Sequence, residues 1–300
     1  MTEQLSNTSK DLLIEVTPHV SELRRIIRVM ASRKVVIFGA IIIIIMAIVA
    51  IFAPLLAPYD PYKVNLKESL QPLSSTHLLG TDALGRDTLS RIIYGSRTSL
   101  MIGIVSIFIA SGIGMLLGLS AGYYGKIYGA VVMRFVDALM AFPMILLALV
   151  IASLLGGGIS NVIIAIGISL TAVYARLMYG QVLSIKENDY VTACRAMGAG
   201  NIQIMFRHVF PNCLSPMIVL ITMQLGSAIL AEAGLSFLGV GIAPPGASWG
   251  SMVNDGYKYI LDLPVLSFAP GIAIMLIVFA FNMVGDGLRD ALDPRLRGTI

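Results

Sequence analysis

Long apolar stretches without a charged residue recur along the chain and determine its architecture. A membrane-spanning helix needs about 20 predominantly apolar residues. Stretches that meet this requirement predict an all-α integral membrane protein with six transmembrane helices, at about 35–57, 98–122, 136–155, 162–180, 212–232 and 265–286. The third and fourth lie in one uncharged run, 138–175, which the turn-forming sequence 156–161 divides into two helices.

One further uncharged stretch, 233–254, is not counted as a span because glycine and proline interrupt it seven times. We expect no helix there. Because bare backbone cannot face lipid, the stretch is either an external loop or a re-entrant segment packed against protein.

The polar N-terminus divides into two parts. Residues 1–17 are expected to form a disordered tail. In 18–34, arginines occupy one helix face and apolar residues at i, i+3, i+4 and i+7 occupy the other, namely Leu23, Ile26, Ile27 and Met30. The pattern predicts an amphipathic helix on the membrane surface. The alternative is that these residues form the first turns of the first spanning helix.

Lysine and arginine are distributed unevenly over the two sides of the predicted membrane protein. With the N-terminus inside, 15 of the 21 basic residues fall on the inner side and 6 on the outer side. Because cytoplasmic loops carry the excess of basic residues, both termini are predicted to be cytoplasmic. The outer loop 60–97 fits this rule least well, since it carries five of the six outer basic residues.

Composition supports lipid as the solvent and excludes several function classes. Hydrophobic residues make up 57% of the chain and charged residues 13%, whereas soluble domains are about 25% charged. The two cysteines and three histidines are scattered, so no metal site is expected. The arginines do not cluster with aromatic residues, so no nucleic-acid partner is expected. An intramembrane enzyme would need paired acids, Ser–His or metal ligands within spans, and we expect no catalytic residue.

The second predicted span carries glycines at a spacing of four: Gly114, Gly118 and Gly122. Small residues at this spacing let two helix backbones approach closely in lipid. We therefore predict that this span packs tightly against another helix. The alternative is that glycine is simply common in membrane helices.

The inner loop 181–211 has the pattern of two short amphipathic helices. Asp189 is a suitable N-cap for the first helix, and Gly198 is suited to end it. Asn201 is suited to cap the second helix, and Pro211 either ends that helix or starts the next span. Such a hairpin either tucks under its own bundle or docks a cytoplasmic partner.

This loop also resembles a known family. The sequence Tyr190–Asn212 is similar to the EAA loop of ABC importer permeases, with Gly198 and Pro211 at the matching positions. The family's Glu-Ala-Ala triplet is here Thr-Ala-Cys, at 192–194, which removes the carboxylate that could pair with an ATPase. Three more stretches, in the family's order, resemble the C-type permeases for dipeptides, oligopeptides and nickel: 77–91, 235–250 and 285–295.

The resemblance implies a six-helix permease domain over 35–298 in a prokaryotic plasma (inner) membrane. Its partners would be a homologous second permease, two cytoplasmic ATP-binding cassette ATPase subunits and an extracytoplasmic solute-binding protein. ATP and Mg would bind to the ATPases and no cofactor to this chain, which has no GxxxxGK[ST] phosphate loop. The ATPase-coupling residues would be Tyr190, Val191, Thr192, Ala193, Cys194, Arg195, Ala196, Met197, Gly198, Ala199, Gly200 and Asn201.

Three residues near the outer end of the fifth span are candidates for the translocation path or an outer gate: Glu232, Phe237 and Trp249. The alternative for Glu232 is a capped or water-exposed boundary residue. The alternative for Trp249 is an aromatic residue at the membrane interface.

Two further sets of charged residues remain. The first set either contacts the binding protein or the substrate's termini, or locks the fold as an ion-pair cluster: Asp82, Arg86, Asp87 and Arg91. In the third span, Asp137 is predicted to pair structurally with Arg134, its i−3 neighbour.

We therefore expect the chain to translocate dipeptides, oligopeptides or a related small solute by alternating access that separate ATPases drive. Nickel-chelate or glutathione import is the alternative within the family. A stand-alone channel or secondary carrier is the alternative from another class. It would show repeated pore loops or inverted repeats with broken, charged helices, and neither is evident in the sequence.

Overall fold

Helices form the fold of this protein, which a computed structural model describes over residues 22–292. In chain order they are α1 (Glu22–Ser32), α2 (Lys34–Ile51), α3 (Ala53–Leu56), α4 (Thr88–Tyr124), α5 (Lys126–Met140), α6 (Met144–Leu155), α7 (Ile159–Ile185), α8 (Asp189–Ala196), α9 (Asn201–Ile204), α10 (Phe210–Phe237), α11 (Trp249–Tyr257) and α12 (Val265–Leu292). A 3-10 turn at Leu66–Glu68 and a π turn at Met205–Val209 join them. Within 22–292 there is no β-strand, only an isolated bridge between Thr81 and Asp87.

Five segments of this structure are helical and apolar over a length that can cross a membrane, and the bent pair α5 and α6 supplies a sixth crossing if it counts as one span. One of the five runs unbroken from Asn201 to Phe237, so that α9, the π turn and α10 form a single helical rod. The predicted fold class, an all-α integral membrane protein, is confirmed.

The third crossing departs from the sequence prediction. A single helix over 136–155 is wrong, because α5 ends at Met140 and α6 begins at Met144, with an angle of 90° between them. Pro143 accounts for the break. It lacks a backbone N–H and disfavours helical geometry at the preceding residue.

The helices give the bundle two distinct ends. The hairpin end holds α8, α9 and the start of α2, and the loop end holds the segments 57–87 and 238–264. Arg33 and Asp290 form an ion pair with an N–O distance of 2.5 Å. Both ends of the described chain therefore lie at the hairpin end.

Helix α1 is distinct from the first span. Arg33 is extended between α1 and α2, with φ −101° and ψ 110°, and α1 packs against α12. This geometry favours the interpretation of a separate amphipathic helix over that of the first turns of α2. The predicted tail 1–17 and the family-like residues 293–295 lie outside the described residues.

Helices α4 and α7 pack against each other along most of their length. A Cβ atom on Gly114 would lie 2.5 Å from the carbonyl oxygen of Thr171, and one on Gly118 would lie 2.3 Å from that of Ala175. Such distances are far below van der Waals contact, so only glycine allows the two backbones to approach this closely. The predicted close packing at the glycine repeat is confirmed.

The glycine- and proline-rich stretch also differs from its prediction. The expectation of no helix in 233–254 is wrong, because α10 extends to Phe237 and α11 begins at Trp249. A Cβ atom on Gly250 would lie 2.4 Å from the carbonyl oxygen of Ala233. Glycine serves here to bring α11 against α10, and the stretch is packed against protein, as the re-entrant alternative requires.

We expect Gly118→Ala to destabilise the protein by about 1–3 kcal/mol, because the added methyl group forces α4 and α7 apart. Gly112→Ala is the matched control on the same helix, since nothing lies within 4 Å of a Cβ at that position. Thermal unfolding in detergent or nanodiscs measures both. Equal midpoints for the two variants would contradict the packing argument.

Candidate functional site

The hairpin end presents the segment that resembles the EAA loop. Helices α8 and α9 form a helical hairpin that bends at Gly198, whose φ of +85° is in the region that favours glycine. The predicted N-caps are each one residue too late, because Asn188 precedes α8 and Gly200 precedes α9. Asn201 instead accepts a hydrogen bond of 3.0 Å from the Tyr123 hydroxyl, which ties the hairpin to α4.

The second predicted short helix does not end before the membrane. It continues through the π turn into α10, and Pro211 occupies the first turn of α10. Of the two possibilities for Pro211, the start of the next span is therefore correct. The hairpin and the spanning helix α10 form one mechanical unit.

The hairpin has a buried face and an exposed apolar face. Val191, Ile204 and Val209 are fully buried in the core of the bundle. Nine of the twelve predicted coupling residues are exposed: Tyr190, Thr192, Ala193, Arg195, Ala196, Met197, Gly198, Gly200 and Asn201. Together with Ile202 and Phe206, Met197 forms an apolar surface that no described residue covers. The hairpin thus both packs under its bundle and leaves a surface for a partner.

At the loop end, Asp82 is the centre of an ion-pair cluster. Its carboxylate accepts from Arg86 Nε at 2.7 Å and lies 3.5 Å from Arg91 Nε. Arg91 also donates to the carbonyl oxygen of Pro61 at 3.1 Å. Both arginines are buried, so the cluster fastens the segment 57–87 to the first turn of α4. It also explains why α4 begins ten residues before the predicted start at 98, since Arg91 lies inside the helix.

Asp87 caps α4 from the same segment. Its carboxylate accepts from the Ser90 N–H at 2.8 Å and from the Ser90 hydroxyl at 2.7 Å. His77 Nδ1 donates to the other carboxylate oxygen at 2.9 Å, and both side chains are buried. Sequence reasoning missed His77, because no local pattern shows that it packs on Asp87. This geometry favours the fold-locking interpretation of the cluster.

Glu232 is fully buried in α10, so the interpretation as a water-exposed boundary residue is wrong. The Ser236 hydroxyl donates to one of its carboxylate oxygens at 2.8 Å, and the other oxygen has no hydrogen-bond partner among the described residues. Phe237, one residue further along, is partly exposed and packs edge-on against Tyr257 with ring centroids 6.2 Å apart.

Trp249 is also fully buried, and it is not an aromatic residue at the lipid interface. Its indole N–H donates to the carbonyl oxygen of Ile92 at 3.0 Å, and its ring lies against Gly95 of α4. Glu232 and Trp249 therefore belong to the contact between α4, α10 and α11. This contact closes the bundle at the loop end.

Toward the hairpin end, one strip of α7 is left accessible between α5 and α10, which both pack on α7, and we call this strip the groove. One face of α7 changes from buried to open along its length. Val162, Ile166 and Ser169 of this face are buried near the loop end, whereas Arg176 and Gly180 are accessible. A Cβ on Gly180 would meet nothing within 4 Å. At the loop end α6 meets α10, where Ile145 lies against Gly234, while α5 packs on α4 and α7 instead.

The groove contains an ion pair between Asp137 of α5 and Arg176 of α7. The prediction that Asp137 pairs with Arg134 is wrong. The bond to Arg176 joins two different helices. Each side chain of the pair retains slightly more than 40% of its exposure. No sequence pattern indicates this pair, because Arg176 resembles an ordinary basic residue of an inner loop.

We expect Asp87→Ala to lower the stability by about 2–3 kcal/mol, because Ser90 and His77 lose a buried acceptor and α4 loses its cap. Asp262→Ala, at an exposed carboxylate of the loop end, is the control. Thermal unfolding checks the result. If the unfolding midpoint is unchanged but the protein no longer responds to a binding protein, the result would favour the interpretation in which the cluster contacts the binding protein.

Comparison with known proteins places the chain in a family. Residues 114–298 match the family described as "binding-protein-dependent transport system inner membrane component". Residues 21–72 match the N-terminal transmembrane domain of oligopeptide transport permease C.

Two relatives and one solved structure illustrate the similarity. The chain is 42% identical over 278 residues to a dipeptide transport system permease protein of Alkalihalophilus pseudofirmus, covering 93% of this chain and 91% of that relative. It is 40% identical to a glutathione transport system permease protein of Pectobacterium atrosepticum, covering 94% and 92%. It shares the fold of a chain of the MetNI methionine ABC transporter in inward facing conformations, with a TM-score of 0.55, 20% identity, and 68% and 96% coverage. By its sequence, this chain belongs to the family of binding-protein-dependent transport system inner membrane components.

Proposed function

We propose that this chain is the C-type permease subunit of an ABC importer for dipeptides or similar peptide-like solutes, including glutathione. The observation that carries the proposal is the hairpin of α8 and α9. It presents an uncovered apolar surface and is helically continuous with a spanning segment. A homologous second permease and two ATP-binding cassette ATPases would complete the complex, and ATP and Mg would bind to the ATPases. A solute-binding protein would deliver solute at the opposite end.

The apolar surface of the hairpin suits a helix-in-groove contact. Met197, Ile202 and Phe206 project from adjacent turns, and a cleft of about 500 Å³ beside them is lined in part by Gln203, Arg207 and His208. Apolar side chains with a polar rim are the usual composition of a protein interface. The missing carboxylate at Thr192 leaves apolar contact, rather than an ion pair, as the main attraction for the ATPase.

The helix from Asn201 to Phe237 provides the coupling. It has 37 residues, so it is about 55 Å long at 1.5 Å per residue. It connects the hairpin to Glu232 at the loop end. A displacement of the hairpin by the ATPases would therefore move the contact between α10 and α11. Alternating access follows if ATP favours the state in which this contact is open.

The proposed orientation places the hairpin end in the cytoplasm. By sequence, 15 basic residues are assigned to the inner side, which includes the loop 181–211 that forms the hairpin, and 6 to the outer side. At the loop end, two of the six are the buried arginines that pair with Asp82. Because these two arginines pair with Asp82 within the fold, they indicate the membrane orientation less strongly than unpaired basic residues do.

We expect Lys67→Cys to react with an impermeant thiol reagent on intact cells, in a background with Cys194→Ser and Cys213→Ala. Gln203→Cys should react only after the cells are opened, and the reverse pattern would invert the proposed orientation.

Substitution at the hairpin bend tests the proposed function. Gly198→Val forces a β-branched residue into the left-handed region, which costs about 1–2 kcal/mol or more and distorts the hairpin. Gly198→Asn is the matched variant, since asparagine adopts the left-handed region far more readily than valine and a Cβ at this position has no described atom within 4 Å. In the purified complex, Gly198→Val should reduce ATP hydrolysis stimulated by peptide and binding protein, while Gly198→Asn should retain most of the wild-type rate.

Two outcomes would contradict this function. In the first, the chain purifies without an ATPase or a second permease and still conducts or transports without ATP, which would indicate a channel or secondary carrier. In the second, Gly198→Val and Gly198→Asn hydrolyse ATP at the same stimulated rate as the wild type, which would separate the bend of the hairpin from coupling.

A further inference from the structure

The ion pair between Asp137 and Arg176 lies well inside the bundle. Asp137 is eleven residues from the start of α5 and Arg176 nine residues from the end of α7. At 1.5 Å per residue, the pair is about 14–16 Å from the hairpin end of these helices. This distance is on the order of half the hydrocarbon thickness of a bilayer. A half-exposed ion pair at such depth cannot face lipid without a large cost, and it must face water or protein.

The two sides of α5 show which surface meets lipid. Val131 and Phe135 are 64% and 61% exposed and form a large apolar face. The flank that carries the ion pair has small and charged residues at spacings of four, three and four: Ala130, Arg134, Asp137 and Ala141. Asp137 lies about 120° and about 160° around the helix from Val131 and Phe135. Its pairing with Arg176 shows that this side of α5 is turned toward α7.

The groove is open around the pair. Gly180 follows Arg176 by one turn on the same face of α7, and no atom of the described residues 22–292 lies within 4 Å of a Cβ placed there. A ligand with a carboxylate and an ammonium group would find both counter-charges here.

We propose that Asp137 and Arg176 form a transient binding site for zwitterionic ligands, in which Arg176 binds the carboxylate of the ligand and Asp137 binds its ammonium group. The proposal rests on the proposed function, because a peptide import path is the setting that brings such a ligand into the groove. Arg176 suits the role, since a guanidinium binds a carboxylate in two parallel hydrogen bonds.

The free energy of binding at this site favours a ligand that passes through over one that binds tightly. A zwitterion that enters an apolar groove loses hydration of both charged ends, and fixed counter-charges offset that loss. Binding also separates Asp137 from Arg176. The two ion pairs that the ligand forms must therefore compensate both for the loss of the existing pair and for the lost hydration. The net affinity is weak, as a transport path requires if the ligand is to leave again.

Thiol labelling of the assembled complex in nanodiscs tests where the groove lies. Gly180→Cys, with Cys194→Ser and Cys213→Ala, should react with a cationic methanethiosulfonate in the absence of nucleotide, because water fills the groove. Phe135→Cys, on the lipid face, is the control and should react at least about tenfold more slowly, since the thiolate does not form in lipid. If Gly180→Cys is as inert as Phe135→Cys, the groove is covered by lipid or by the second permease, and the proposal is wrong.

Protection of Gly180→Cys by defined probes tests the ligand class. Ala-Ala should slow the labelling, and N-acetyl-Ala-Ala-amide, which has no charged end, should not. Free alanine distinguishes an amino-acid site from a peptide site, since either could supply the zwitterion. Labelling that no zwitterionic probe slows would overturn the proposal.

Single-charge probes separate binding from a purely structural role. Arg176→Gln should weaken protection by N-acetyl-Ala-Ala about 30-fold or more but spare protection by Ala-Ala-amide, because only the former needs the guanidinium. Asp137→Asn should show the opposite selectivity. If both variants lose protection by both probes equally, the pair only holds α5 on α7.

The importer proposal is tested independently in the same preparation. ATP hydrolysis that Ala-Ala and a binding protein stimulate supports the importer whether or not Gly180→Cys is protected. Selective protection without stimulated hydrolysis would keep the zwitterion site and reject the importer.

Discussion

The close approach of the α4 and α7 backbones is the contact on which the rest of the bundle depends. Lipid gives spanning helices no hydrophobic reason to associate, so packing must come from van der Waals contact over a long, well-fitted surface. The glycines of α4 provide that surface. α5 then packs on both helices through Met133 and Val136, and α10 packs on α4 where Ile229 fills the space left by Gly103. The floor of the groove is rigid for this reason.

Around this pair, the two ends of the bundle differ in character. The loop end is closed by buried polar residues. Trp249 of α11 donates to α4, Glu232 is buried in α10 next to the contact with α11, and the Asp82 cluster fastens the segment 57–87 to α4. The hairpin end is open, with α5 and α10 on either side of α7. A helix that reaches from the hairpin to Glu232 connects the two. The structure thus has a closed end, an open end and a rigid element between them, which is the arrangement that alternating access requires.

The sequence predicted the spans well, because a span must be apolar over a length that the bilayer fixes. It predicted their bounds less well, since these depend on side chains elsewhere: Arg91 lies inside α4 only because Asp82 compensates its charge. The bend at Pro143 was missed because the apolar composition continues across it. The glycines of 233–254 predict a stretch without helix, but Gly250 lies in α11 and allows this helix to contact Ala233. The pairing of Asp137 with Arg176 could not be predicted, since the two residues are distant in sequence and only the fold brings them together.

The polar segment at the loop end has a consequence for how the protein is made. Its hydrogen bonds to the start of α4 join residues close in sequence, such as Tyr59 N–H to Ser90 and Arg91 to Pro61, at separations of 31 and 30 residues. Contacts with so short a separation form early, because little loop entropy is lost. The segment can therefore fold against α4 while the remaining helices are still being synthesised. Arg86 and Arg91 then share the Asp82 carboxylate before the bundle assembles, which reduces the uncompensated charge at the start of α4.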